Sequence, residues 1–320
     1  MMARISISRL AQYAGGIELL SLSSPSFSSI LLQGPLSAAR RIEKSGAACS
    51  FLHPQLPEHV LKPISFKVAP EQKLAQAVFE GQSLSKLQPF LQQGTLLQQY
   101  SAGKRLGFML RKLHELMMPS ELTQTPGQWR KQCEAAILSY FKSPYRFAND
   151  AAALTSLQRR LNFMFAQKLV LTAGSIKSRL LFVGAEGQIV LRPLLKLKAA
   201  PAVRDFVQLS AADSADFPCF TAGAVDGYFG AMDKTKFWLS LALYCAYYAT
   251  AGLAAELAGR EARQRAGELD LAQFEQSLAA AERQSRRLCR DFNDFTHPIP
   301  RWYKLEEVEQ VRRTALRLGL

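Results

Sequence analysis

Hydrophobic residues in this chain fall in short runs near the amino terminus and at helical spacing over much of the rest. Gly15-Gly16-Ile17-Glu18-Leu19-Leu20-Ser21-Leu22 reads as a glycine-bearing turn entering a strand, and residues 27–32 are a short apolar run suited to another. Ser24-Pro25-Ser26 between them has the residue types of a turn. Residues 37–52 are expected to be helical. Further on, Leu106, Leu110, Leu113 and Met117 recur at i, i+4, i+7 and i+11, which places them on one apolar face of a helix. Residues 120–127 read as a loop, followed by helices over 128–140 and 151–169. The apolar end of the second runs into a short loop and then an apolar strand. A tight turn at Ala185-Glu186-Gly187 leads to a second strand over 188–191.

Residues 237–255 carry no charge, and about 20 apolar residues suffice to cross a bilayer. Ser240, Tyr244, Tyr247, Tyr248, Thr250 and Gly252 dilute the run, and Lys234, Lys236 and Glu256 bracket it closely. A buried central helix is therefore expected, with no transmembrane segment. Residues 260–295 supply more helix, broken at His297-Pro298-Ile299-Pro300, because proline cannot continue a helix and biases its predecessor to extended conformations. A last helix over 306–316 would set Val308, Val311 and Leu316 on one side.

With 320 residues and 48% hydrophobic content, the chain can bury one large core or two smaller ones. The five cysteines, Cys49, Cys133, Cys219, Cys245 and Cys289, show no paired spacing and no C-x-x-C, which argues against structural zinc. The opening residues Met1-Met2-Ala3-Arg4-Ile5-Ser6-Ile7-Ser8-Arg9 lack the apolar run of a signal peptide, so reduced thiols and a cytoplasmic location are expected. The net charge of +14 comes with no recognisable nucleic-acid module, so specific nucleic-acid binding is not expected. An acidic protein or an anionic ligand is the expected partner, and such a field makes association salt-dependent. Oligomeric state is not legible.

The segment Leu169-Val170-Leu171-Thr172-Ala173-Gly174-Ser175-Ile176-Lys177-Ser178-Arg179-Leu180-Leu181-Phe182-Val183 resembles the catalytic loop of aminoglycoside phosphotransferases and choline-kinase-like proteins. There it carries H-G-D-x-x-x-x-N, with a metal-binding Asp after the second strand. The resemblance extends along the chain in order. Leu106-Gly107-Phe108-Met109-Leu110-Arg111-Lys112-Leu113-His114 is similar to the family's L-G-x-x-L-x-x-L-H helix. Val78-Phe79-Glu80-Gly81-Gln82-Ser83-Leu84 resembles the segment crossing between lobes, and Pro201-Ala202-Val203-Arg204-Asp205-Phe206-Val207-Gln208-Leu209 the stretch with the structural Asp that braces the loop. Val225-Asp226-Gly227-Tyr228 before a long apolar helix fits the large lobe.

The resemblance implies an α+β, two-lobe protein-kinase-like fold: a small β-containing lobe over 1–78 and a large, mainly helical lobe over 79–320. The degenerate loop region spans 172–192, and His114 and Asp205 would have structural roles. What it does not carry over is the chemistry. Thr172 stands at the His, Gly174 at the catalytic Asp, Arg179 at the Asn, Arg192 or Pro193 at the metal Asp, and Gln33 at the strand-end Lys. Glu43 in the small-lobe helix, lacking that Lys, is expected to be solvated. Phosphoryl transfer rests on positioning and charge neutralisation by such groups, so their joint loss implies a pseudokinase acting as a binding or regulatory protein. No metal or cofactor is then expected, and Lys177, Arg179 and Arg192, with Lys196 and Lys198 nearby, become candidates to bind an anion. One alternative is an active phosphotransferase using ATP and magnesium, with carboxylates such as Asp205, Asp213 or Glu186 relocated to the cleft. Another is a basic peripheral protein at an anionic membrane or polysaccharide surface.

Overall fold

The computed structural model describes residues 6–13, 15–24, 27–147, 150–174 and 176–320. The expected turn at Ser24-Pro25-Ser26 lies largely outside them. Strands β1 (Ser6–Tyr13), β2 (Ile17–Ser24) and β3 (Phe27–Pro35) run antiparallel and are followed by helix α1 (Ala39–Leu52). Strands β4 (Pro63–Ala69) and β5 (Leu74–Glu80) complete a five-stranded sheet in the order β1-β2-β3-β5-β4. Alternation along the strands buries Ile17 and Leu19, Ile30 and Leu32, and Ala75, Ala77 and Phe79. Helix α1 lays Ile42, Cys49 and Leu52 over this sheet. Each large side chain so buried contributes about 1.5–3 kcal/mol.

Strand β6 (Leu84–Lys86) is the first to pair outside that sheet, joining a later strand over Leu181–Gly184 in a three-stranded one. Helices then dominate: α2 (Leu87–Gln93), α3 (Leu96–Glu115), α4 (Pro126–Lys142) and α5 (Asp150–Phe165). Thr95 starts α3 with a reciprocal cap, in which its hydroxyl accepts the Gln98 amide at 3.2 Å and the Gln98 side chain accepts the Thr95 amide at 2.7 Å. The chain leaves α3 ahead of Pro119, so Met117 is 86% exposed and does not extend the apolar face of Leu106, Leu110 and Leu113.

Helix α5 stops at Phe165, and the expected helix end at residue 169 is instead part of strand β7 (Leu169–Thr172). Short apolar runs do not separate helix from strand by periodicity. Here the run Leu169-Val170-Leu171-Thr172 pairs with a strand nearly thirty residues on, a partner no local pattern reveals. Strands β8 (Leu181–Gly184) and β9 (Ile189–Leu191) form the hairpin around Glu186, and β10 (Lys198–Pro201) pairs with β7. Helices α6 (Val203–Ala212), α7 (Pro218–Phe229), α8 (Thr235–Tyr247), α9 (Leu253–Arg265), α10 (Leu271–Asp291) and α11 (Glu306–Arg317) finish the lobe.

The long helical stretch from α8 through a π turn at Tyr248–Gly252 into α9 is apolar and long enough to cross a membrane, yet 78% of its most apolar window is buried within the fold. The expected helix over 260–295 is two helices parted at Gly267, whose φ of +72° favours glycine. On α11, Ala315 joins Val308 and Val311 in the core while Leu316 is 72% exposed, as the 3.6-residue period requires. The centre of the lobe is the α3–α7 pair. A Cβ on Gly103 would sit 2.1 Å from the Phe220 carbonyl, and one on Gly227 2.2 Å from that of Lys104, so glycine lets these backbones touch.

Candidate functional site

The loop after β7 is held from below by a buried polar chain. Asp205, on the first turn of α6, accepts the backbone amides of Ala173 at 3.1 Å and Gly174 at 3.2 Å. The His114 imidazole, from the end of α3, donates through Nε2 to the same carboxylate at 3.2 Å. Its Nδ1 then accepts the Tyr228 hydroxyl at 3.0 Å, and burial pushes that phenol up to about 12. His114 and Asp205 therefore act on the backbone of the loop and present nothing to a ligand. Thr172 is also committed, its hydroxyl donating to the Lys198 carbonyl at 3.0 Å across the β7–β10 pair.

Gly174 has φ +78°, and a Cβ there would lie 2.3 Å from the Lys196 carbonyl oxygen. A position that only glycine fills matches the glycine of H-G-D better than its aspartate. Set on that glycine, the motif would put Ala173 at the His, Ser175 at the Asp and Leu180 at the Asn. Ser175 lies outside the described residues. Neither register supplies the acid or the amide.

Gln33 lies opposite Glu18 and Gln76 in the sheet, and its Oε1 accepts from Gln76 at 3.4 Å. The residue turned toward α1 at this strand end is Gly34, where a Cβ would meet Ile42 at 3.3 Å. Glu43 is exposed, so α1 offers no acid toward the cleft at that turn. Behind β9, the Pro193 carbonyl accepts the Ser45 hydroxyl of α1 at 2.5 Å, and Leu191 donates to the His59 carbonyl at 2.8 Å. These bonds fasten the small lobe onto β9 and the residues that follow it.

The five candidate cations do not form one cluster. Lys177, Arg179 and Arg192 share one field. Burial pushes Arg192 downward, Arg41 and Arg179 add to that, and the Tyr13 phenol opposes it. The Tyr13 hydroxyl is buried without a hydrogen-bond partner among the described residues, and burial lifts it to about 12 against the pull of Arg192 and Arg41. Lys177 is likewise pushed down, first by burial and also by Arg179 and Arg192, while Glu256 and Asp213 hold it up. Lys198 belongs elsewhere, lowered by burial and then by Arg204 and Lys196.

The carboxylates that could replace the missing ones are in use. Asp205 braces the loop. Asp213 accepts the Ser178 amide at 2.9 Å and its hydroxyl at 2.6 Å, although burial still raises its carboxyl above the usual range. Glu186 is exposed in the β8–β9 turn, its carbonyl bound by Arg105. Magnesium does not fit these residues: Arg179 or Leu180, and Arg192 or Pro193, offer no anionic oxygen. Among the described residues no three His, Cys, Asp or Glu gather where they could hold a metal ion.

No family model matches the sequence, and no curated protein matches it. Solved structures do. The chain is similar to a spectinomycin phosphotransferase in complex with ADP and spectinomycin, at 15% identity and TM-score 0.55, covering 88% of this chain and 92% of that one. It is similar to wild-type aminoglycoside 2'-phosphotransferase-IIIa in its GDP complex, at 11% identity and TM-score 0.62, covering 89% and 94%. The fold is that of the aminoglycoside phosphotransferases. A choline/ethanolamine kinase family protein from Mesorhizobium loti matches at 12% identity and TM-score 0.59, over 96% of this chain and 92% of that one. The kinase-like α+β architecture expected from the sequence therefore holds, with nearly complete coverage of both partners. On this aminoglycoside-phosphotransferase frame, the brace of Asp205 and His114 sits under a loop stripped of acids.

Proposed function

We propose that the protein is a pseudokinase of the aminoglycoside-phosphotransferase type, a binding or regulatory protein that does not transfer phosphate. One observation carries this reading. Asp205 and Asp213, the buried carboxylates beside the loop, are spent on its backbone and on Ser178, while the cations Lys177, Arg179 and Arg192 make no hydrogen bond or close ion pair among the described residues. A general base is worth about 10²–10⁴-fold in rate, and the magnesium ions that neutralise the transferred group need oxygen ligands that are missing. An anionic partner met in the cytoplasm suits the charge. The same commitments weigh against an active enzyme with relocated acids, because freeing Asp205 would release the loop it holds.

The test pairs a labelled-phosphate transfer assay, using ATP or GTP with magnesium and aminoglycoside or choline acceptors, with thermal unfolding in the same mixtures. Neither transfer nor a magnesium-nucleotide shift of the melting temperature is expected. Transfer that disappears in Asp213→Asn would establish the active alternative.

A further inference from the structure

We propose that the groove between the 177–179 segment and helix α10 binds a small, phosphate-bearing multianion without a divalent metal. It rests on the metal-free reading of the frame and names the ligand class. The groove has a volume of about 520 Å³, the size of a small-molecule site, and Gln88, Lys177, Arg179, Asp213, Arg283 and Arg287 line it.

Both walls are fixed by bonds that leave the intervening cations free. On the loop side, Ser178 is fastened to Asp213 through its amide and its hydroxyl, which sets Lys177 and Arg179 on either side of it. On the helix side, Gln284 donates to the Ala211 carbonyl at 2.8 Å, and Arg287 donates to the carbonyls of Ser210 at 3.0 Å and Ala211. Arg283, one turn before Arg287, has no hydrogen bond or ion pair among the described residues, and neither do Lys177 and Arg179. Asp213 and Glu256 offset part of the charge at Lys177, and Asp216 lies exposed, so the cations lining the groove, Lys177, Arg179, Arg283 and Arg287, still outnumber its carboxylates, Asp213 and Asp216. An excess of like charge on two facing walls favours an anion between them. Two guanidinium forks and one ammonium suit the several oxygens of phosphate better than a single carboxylate. The downward push of burial on the Lys177 amine fits the same picture, because a bound anion would oppose it.

The test is isothermal titration of the full chain with inorganic pyrophosphate in the presence of a chelator. Saturable binding in the micromolar to millimolar range is expected, weakened about tenfold or more in Lys177→Gln and in Arg283→Gln. Both side chains reach solvent, so circular dichroism should show each variant folded. Arg313→Gln, exposed on α11, should bind as the wild type does. A sugar phosphate binding more tightly than pyrophosphate would assign the groove to phosphorylated metabolites, and the reverse order to inorganic phosphates. No saturable binding, a requirement for magnesium, or equal weakening by Arg313→Gln would overturn the proposal. So would polyglutamate binding at the groove where pyrophosphate does not. Phosphate transfer together with chelator-resistant pyrophosphate binding would sink the pseudokinase reading and leave this one standing. Absence of both would do the opposite.

Discussion

Asp205 and His114 form a buried pair at 3.2 Å whose purpose is to hold the backbone of a loop. The carboxylate makes three contacts, all inward, to two loop amides and to the imidazole. Removing it leaves those donors unsatisfied in the core. Asp205→Ala should cost about 3–5 kcal/mol, read from denaturant unfolding, and Asp205→Asn should cost less because its Oδ1 still accepts an amide. An Asp205→Ala variant that unfolds like the wild type would show that the brace is dispensable.

Gly174 tests the loop itself. Alanine there must adopt φ +78° and also push its Cβ against the Lys196 carbonyl. Gly267 supplies the control, with φ +72° and nothing within 4 Å of a Cβ. Gly267→Ala should cost about 1 kcal/mol, the left-handed penalty alone. Gly174→Ala should cost clearly more, by about another 1–3 kcal/mol for the overpacked contact. Equal losses would mean that the 192–198 segment yields freely, and the register argued from Gly174 would lose its support.

Much of this frame is legible in the sequence. The hairpin at Glu186 forms where the turn residues predict it, and Asp205 and His114, from separate stretches of the chain, meet beneath the loop after β7. Direction is what spacing cannot supply. Lys177 and Lys198 are twenty-one residues apart in sequence order, yet the chain reverses at β9 and turns them into different fields. Gln33 and Gly34 differ by one position and so by the face of the sheet, which only the register with α1 decides. Gly103 and Gly227 each read as unremarkable helix residues, and their meaning appears when α3 and α7 meet.

His59 gives the interface between the lobes a pH dependence. Its Nδ1 donates to the Ile189 carbonyl at 2.8 Å, and burial lowers its pKa, with Glu58 opposing and Lys112 assisting. The unfolded chain takes up a proton at this histidine near the ordinary value of about 6.5, before the folded protein does. Below that pH the unfolded state binds more protons, so the contribution of His59 to stability falls as pH drops and levels off beneath the folded pKa. His59→Asn keeps a donor toward Ile189 and cannot titrate. The stability difference between wild type and variant should therefore change between pH 7 and pH 5, and a constant difference would refute the assignment.

The last helix is tied to the fold by one carboxylate. Asp226 on α7 accepts from Tyr100 at 2.9 Å, Tyr303 at 2.5 Å and Arg312 Nε at 2.9 Å, and Arg312 lies over the Tyr303 ring at 4.5 Å. The Arg312 side chain is only 20% exposed, so solvent screens this pair less than a surface ion pair. Arg312→Met keeps the apolar stem and removes the charge, leaving Asp226 with two phenols and the more distant Lys234 at 3.6 Å. The expected loss is about 3 kcal/mol, together with faster limited proteolysis between Arg301 and Glu306 as α11 detaches. Because Val308, Val311 and Ala315 also hold α11, Val311→Ala should raise proteolysis at the same bonds without disturbing Asp226. A loss in Arg312→Met within about 0.5 kcal/mol would place the pair among exposed ones, and docking of the helix would then rest on its apolar face alone.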